Sequence, residues 1–138
     1  MKYMKDKIFI DTNLLVYYIS DDIKKKKIVH ELLLSDAEII ISSQVISEFI
    51  SVCLKKLKLP KHKTLSYAEE FIDIFSVTPI NLEVVSKALS LVKKNNFSIW
   101  DSLIVSSALH AECKILYTED MQHGQIIAKK LRIINPFE

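Results

Sequence analysis

The chain has 138 residues, which fits one domain able to bury a core without disulfide or structural metal. Nineteen lysines and arginines against seventeen acids leave a formal net charge of +2, which excludes the strongly basic balance of an architectural nucleic-acid binder. Arg132 is the only arginine, so phosphate contacts must come from lysine point charges rather than guanidinium forks.

No apolar run reaches membrane-spanning length and no leader pattern is present, so the expectation is a cytoplasmic protein without membrane contact. Cys53 and Cys113 both lie in apolar helical patterns. His110 and Cys113, three apart, are too few to hold zinc. With one glycine, the chain lacks the glycine-rich loops by which dinucleotide-binding and P-loop proteins bring backbone to phosphate.

Taken in chain order, short apolar runs predict strands at Lys7–Ile10, Glu38–Ile41, Ser76–Pro79, Lys114–Tyr117 and Leu131–Ile134. Apolar residues at helical spacing predict helices at Asn13–Ile19, Lys24–Leu34, Ser43–Leu57, His62–Phe75 and Leu82–Lys94. Trp100–Ala111 is apolar nearly all round and reads as an interior helix. Strands without in/out alternation, separated by helices, imply a parallel sheet covered on both faces, an α/β fold occupying residues 1–138 as one domain. In such sheets chemistry is sought beyond the carboxyl ends of the strands.

Four acids stand out. Asp11 directly follows the first strand in "KIFIDTN", and Asp120 follows the fourth in "KILYTED". Taken alone, Asp11 also reads as a helix N-cap and Asp120 as an Asx-turn. Asp101 in "SIWDSL" reads as the third residue of a helix capped by Ser98. Glu48 in "SSQVISEF" stands roughly 60° from Val45 and 40° from Val52 around its helix, beside the buried stripe where a solvated glutamate is not expected. Its alternative is a side chain that snorkels to water.

One shared site accounts for all four acids at once. Two carboxylates about 5 Å apart repel by roughly 3 kcal/mol at an effective dielectric near 20, so a cation should join them. Carboxylates without clustered His or Cys suit Mg²⁺ or Mn²⁺, the ions of phosphodiester cleavage.

The pieces "FIDTNLLVYYIS", "SSQVISEF", "IWDSLIVSSAL", "LYTEDMQHGQ" and "INPF", in that order and spacing, resemble the PIN-domain nucleases, in particular the VapC-type ribonuclease toxins of toxin–antitoxin pairs. The resemblance runs from Ile8 to Phe137. It implies a three-layer α/β/α sandwich with a five-stranded parallel sheet in the order 3-2-1-4-5. It implies a Mg²⁺- or Mn²⁺-dependent endoribonuclease, a homodimer and a cognate antitoxin.

The family's four acids fall on Asp11, Glu48, Asp101 and Asp120, with Thr12, Asn13 and Thr118 as supporting polar groups. Ser102 follows Asp101 where the family often has alanine, and Glu119 competes with Asp120 for the fourth place. Family spacing favours Asp120.

Two basic runs, containing Lys24 and Lys25 and then Lys55 and Lys56, are candidate RNA contacts or else solvated helix faces. Two other readings stay open. A phosphoacceptor domain or aspartyl phosphatase also places acids after its first strand, although Asp11-Thr-Asn lacks the paired-acid form. A non-catalytic PIN-like interaction or RNA-binding module would keep the fold without activity.

Overall fold

The structure, a computed structural model, describes residues 5–138. The elements follow as β1 (Lys7–Ile10), α1 (Thr12–Tyr18), α2 (Ile23–Leu33), β2 (Glu38–Ser42), α3 (Ser43–Lys55), α4 (Lys61–Ile74), β3 (Ser76–Thr78), α5 (Leu82–Lys94), α6 (Ile99–His110), β4 (Ile115–Tyr117), β5 (Ile126–Ile127) and β6 (Leu131–Ile134). Short polar side chains start most of the helices. Asp22, Ser42, Asn81 and Ser98 accept hydrogen bonds from the orphan backbone N–H groups of α2, α3, α5 and α6, while Pro60 opens α4 without a side-chain cap. Cys113 lies in the turn after α6 rather than on a helix, because the backbone turns left-handed at Glu112 (φ 60°).

The sheet runs β3-β2-β1-β4-β6-β5, with every pair parallel except β5 with β6. Its five parallel strands have the expected order, the fifth being β6. The expectation of five strands is corrected to six, since β5 is a two-residue antiparallel strand at the edge, too short to show any periodicity. The first two crossovers, through α1–α2 and α3–α4, step one way across the sheet, and the third, through α5–α6, steps back. With right-handed crossovers, α1–α4 cover one face and α5–α6 the other. The order therefore reverses between β1 and β4, and that is where Asp11 and Thr118 leave the sheet.

Ile10, Ile41, Leu116 and Ile133 from four strands are fully buried against Leu14, Phe49, Phe71 and Val105 from the helices. Phe71 meets Phe49 edge-on at 5.0 Å between ring centroids, a geometry aromatic pairs favour.

The β5–β6 hairpin turns at Ala128 and Lys129, with φ of 53° and 58°, and Lys130 N donates to the Ile127 carbonyl at 3.0 Å. Two successive positive φ values make the mirror-image turn that favours Asn-Gly, and this chain places two residues with Cβ atoms there. Replacing the pair by Asn-Gly is expected to raise unfolding free energy by about 1 kcal/mol in urea titration. An unchanged midpoint would mean that the turn carries no strain.

Candidate active site

Asp11 is placed by the sheet itself. Its N–H continues the β1–β4 pairing by donating to the Tyr117 carbonyl at 3.0 Å, and Thr118 N–H donates to the Ile134 carbonyl at 3.0 Å. Those two bonds set Asp11 and Thr118 side by side at the reversal point. The Asp11 carboxylate, 5% exposed, accepts from Thr12 N–H at 2.7 Å through Oδ1 and from the Thr118 hydroxyl at 2.8 Å through Oδ2. It is thus the N-cap of α1, and its second oxygen turns to Thr118. Burial pushes its carboxyl up to about 6, against the lowering hydrogen bonds of Thr118 and Thr12, with Glu48 and Asp120 adding like-charge repulsion.

Glu48, in the second turn of α3, is half-buried. Its Oε2 accepts from the Thr12 hydroxyl at 3.4 Å, and its Oε1 accepts from Gln44 Nε2 at 2.6 Å. Gln44 Nε2 also donates to the Trp100 carbonyl at 3.2 Å, which ties the start of α3 to the start of α6. Gln44 is absent from the sequence-based set of site residues. Its signal was the i, i+4 spacing of an amide before Glu48 on one helix face.

Asp101 occupies the first turn of α6, whose cap is Ser98, with Asp101 N–H donating to the Ser98 hydroxyl at 3.1 Å. Capping and clustering coexist here. The Asp101 carboxyl is raised by burial first and then by Asp120 and Glu48, with Ser98 opposing. Asp120 Oδ2 accepts from Asn13 Nδ2 at 2.9 Å, and Asp120 N–H donates to Thr118 Oγ1 at 3.2 Å. The repulsions felt by Asp11 and Asp101 both come from Glu48 and Asp120, so four distant chain segments bring their acids into one electrostatic neighbourhood.

Glu119 points elsewhere. It pairs with Lys25 and accepts from the Tyr17 hydroxyl at 2.6 Å, and the Lys25 ammonium lies 4.6 Å and 5.1 Å from the ring centroids of Tyr17 and Phe137. Partial burial acts to raise the Glu119 carboxyl, but Lys25 and Tyr17 outweigh it and hold it below the usual range. Lys25 is therefore engaged by partners within the chain, whereas Lys24, Lys55 and Lys56 are exposed. Lys55 stands seven residues beyond Glu48, about 10 Å further along α3 from the acids.

Carboxylate oxygens with no imidazole or thiolate beside them are the donor set of a hard divalent ion. The amide Oδ1 of Asn13, buried without a partner among the described residues, adds an orphaned oxygen beside Asp120. Among the described residues no three His, Cys, Asp or Glu close into a ready ligand set. An ion such as Mg²⁺, which keeps several waters and takes one or two carboxylates, does not require three.

The profile of the PIN domain family matches residues 8–128. No curated protein matches. Among solved structures, a chain of a toxin-antitoxin complex from Klebsiella pneumoniae is 18% identical over 95% of this chain and 98% of its own, with TM-score 0.71. FitAcB from Neisseria gonorrhoeae is 19% identical over 94% and 98%, with TM-score 0.68. VapC20 from Mycobacterium tuberculosis, described as a sarcin-ricin loop cleaving toxin, is 13% identical over 82% and 89%, with TM-score 0.67. These likenesses carry the fold, and the profile covers both the first acid and the fourth: the chain belongs to the PIN domain family.

Proposed function

We propose that the protein is a Mg²⁺- or Mn²⁺-dependent endoribonuclease acting in the cytoplasm as the toxin of a toxin–antitoxin pair. The observation that carries this reading is the meeting of Asp11, Glu48, Asp101 and Asp120 at the reversal point of the sheet. A scaffold that only binds partners gains nothing from acids that repel one another. Similarity to a toxin that cleaves the sarcin-ricin loop supports RNA as the substrate class. Among the described residues no helix is long and apolar enough to cross a membrane.

Of Asp11, Glu48, Asp101 and Asp120, one or two would hold the ion directly and the others its waters. Once bound, it supplies Lewis-acid polarisation of a water and of the scissile phosphate. The protein groups do the orienting. Thr12 N–H and Thr118 fix both Asp11 oxygens, Asn13 fixes Asp120, and Gln44 with Thr12 fixes Glu48, so these three acids keep their direction without reorganisation.

The deciding experiment is incubation of total RNA with the purified chain, freed of any partner, with Mg²⁺, Mn²⁺ or EDTA. Discrete fragments that need metal are expected. No cleavage in any condition, together with no metal binding by calorimetry, would leave the interaction-module reading in its place.

A homodimer belongs to the same proposal. Leu82, Val85, Leu89 and Val92 recur at three- and four-residue spacing along α5, and Leu82, Leu89 and Val92 are 80%, 52% and 38% exposed. A second copy of the chain, presenting the same stripe, is the occupant that buries this seam symmetrically. Leu89→Lys is expected to convert a dimer to a monomer in light scattering. A wild type that is already monomeric would remove the dimer. The antitoxin is proposed to lay a segment over the acidic groove.

A further inference from the structure

A cleft of about 270 Å³ opens beside the acids, lined by Asp101 and Asp120 together with Asn96, Gln122 and Gln125. A second, of about 290 Å³, is lined by Lys87, Lys94 and Lys130 around Leu91, Leu109 and Ala128. The same three chain segments build both. The stretch from α5 to α6 gives Lys94 to one and Asn96 to the other, and α6 gives Leu109 and Asp101. The segment around β5 gives Ala128 and Lys130 to the lysine cleft and Gln122 and Gln125 to the acidic one. Their linings share no residue; taken together as one groove along α6, they are separated by the eight-residue step from Asp101 to Leu109, about 12 Å of helix.

The chemistry changes along that groove. Next to the acids stand amides, each carrying a donor and an acceptor able to pair with a base edge. Further on, no carboxylate lines the cleft, and Lys87, Lys94 and Lys130 are exposed, with Lys93 and Lys129 adjoining. Only Lys87 has an ion-pair partner among the described residues, the exposed Glu83 at 3.8 Å. The lysines at 129 and 130 are presented by the hairpin that turns left-handed at two side-chain-bearing residues, and such retained backbone outliers gather where a segment must be held for a purpose.

We propose that this groove is the track of the RNA strand on one side of the cut, with Asn96, Gln122 and Gln125 facing the bases beside the scissile phosphate and Lys87, Lys94 and Lys130 holding the next phosphates. The assignment rests on the endoribonuclease reading and extends it from the reacting bond to the neighbouring nucleotides. It places the main phosphate contacts on this groove and not on the basic ends of α3 and α4.

The test uses the full chain carrying Asp11→Asn, so that bound RNA survives, and a fluorescent single-stranded oligoribonucleotide of mixed sequence. Replacing Lys87, Lys94 and Lys130 together by glutamine is expected to weaken binding on the order of tenfold near 0.1 M salt and to reduce the slope of log affinity against log salt by about 2. The same exchange at Lys55, Lys56 and Lys58 is expected to leave the slope in place. Photocrosslinks from a 4-thiouridine-bearing strand are expected on the peptide spanning residues 122–130.

A slope unchanged by the groove exchange, or crosslinks confined to α2–α4, overturns the track. Cleavage by the unmutated chain is scored separately. If that chain cuts RNA while the groove exchange has no effect, the track falls alone. If it neither cuts nor binds RNA, the endoribonuclease reading falls and takes the track with it.

Discussion

Asp11→Asn is expected to abolish RNA cleavage and at the same time to leave the metal-free protein more stable than the wild type at pH 7, by about 3 kcal/mol. The two effects share one cause. The Asp11 carboxyl is 5% exposed and is pushed by burial to about 6, above its ordinary value of 3.8. Its ionised form is therefore disfavoured in the fold and becomes useful only when a cation answers it. Asparagine has the same shape and can still accept from Thr12 N–H, but it offers no charge to an ion.

The sign follows from proton counting. Between the unfolded and folded values the native state holds the proton that the unfolded chain has lost, so stability falls as pH rises from about 4 to about 6. Below that window both states are protonated and the variant has little advantage. Above it the full difference is present. Urea unfolding in EDTA should show the variant gaining on the wild type through that window and then levelling. Saturating Mg²⁺ should close the gap by stabilising the wild type alone. A difference that does not vary with pH would mean that Asp11 is not desolvated, and with it would go the reason for a cation at this position.

The prominence of Asp11 in the sequence and its energetic cost in the fold have the same origin. A run of Ile8, Phe9 and Ile10 can only be a core strand, and an acid directly after it must sit at the rim of the core. β1, β2, β4 and the intervening helices were legible for the same reason, since buried runs and helical stripes are set by burial. Glu48 was legible because a rotation of 100° per residue fixes the face a helical side chain occupies.

What was not legible depends on contacts between distant residues. Lys25 reads as one lysine in a basic run, yet Glu119 and the Tyr17 and Phe137 rings take hold of it, and that choice leaves Asp120 as the acid facing Asn13. Neither the pairing of residues 25 and 119 nor the two-residue β5 leaves a periodic trace. The glutamines at 122 and 125 look like ordinary loop residues until Asp101 is seen across the cleft from them.

Thr118→Val is expected to lower RNA cleavage about 10- to 100-fold near neutral pH, with Thr118→Ser close to wild type. Thr118 is fully buried, and its hydroxyl serves two of the acids at once, donating to Asp11 Oδ2 at 2.8 Å and accepting from Asp120 N–H at 3.2 Å. Valine keeps the volume and branching of threonine, so packing at the end of β4 is preserved while both bonds are lost. One bond that lowers the Asp11 carboxyl then disappears, and its pKa climbs further above about 6. Because the ionised carboxylate is the form that can face a cation, the acidic limb of the pH–rate profile should move to higher pH by about one unit. A loss of packing alone would lower the rate at every pH and leave the limb where it was. Movement of the limb, restored by serine, therefore identifies Thr118 as the residue that positions Asp11. A wild-type rate with an unmoved limb would instead leave Asp11 governed by burial and Thr12 alone.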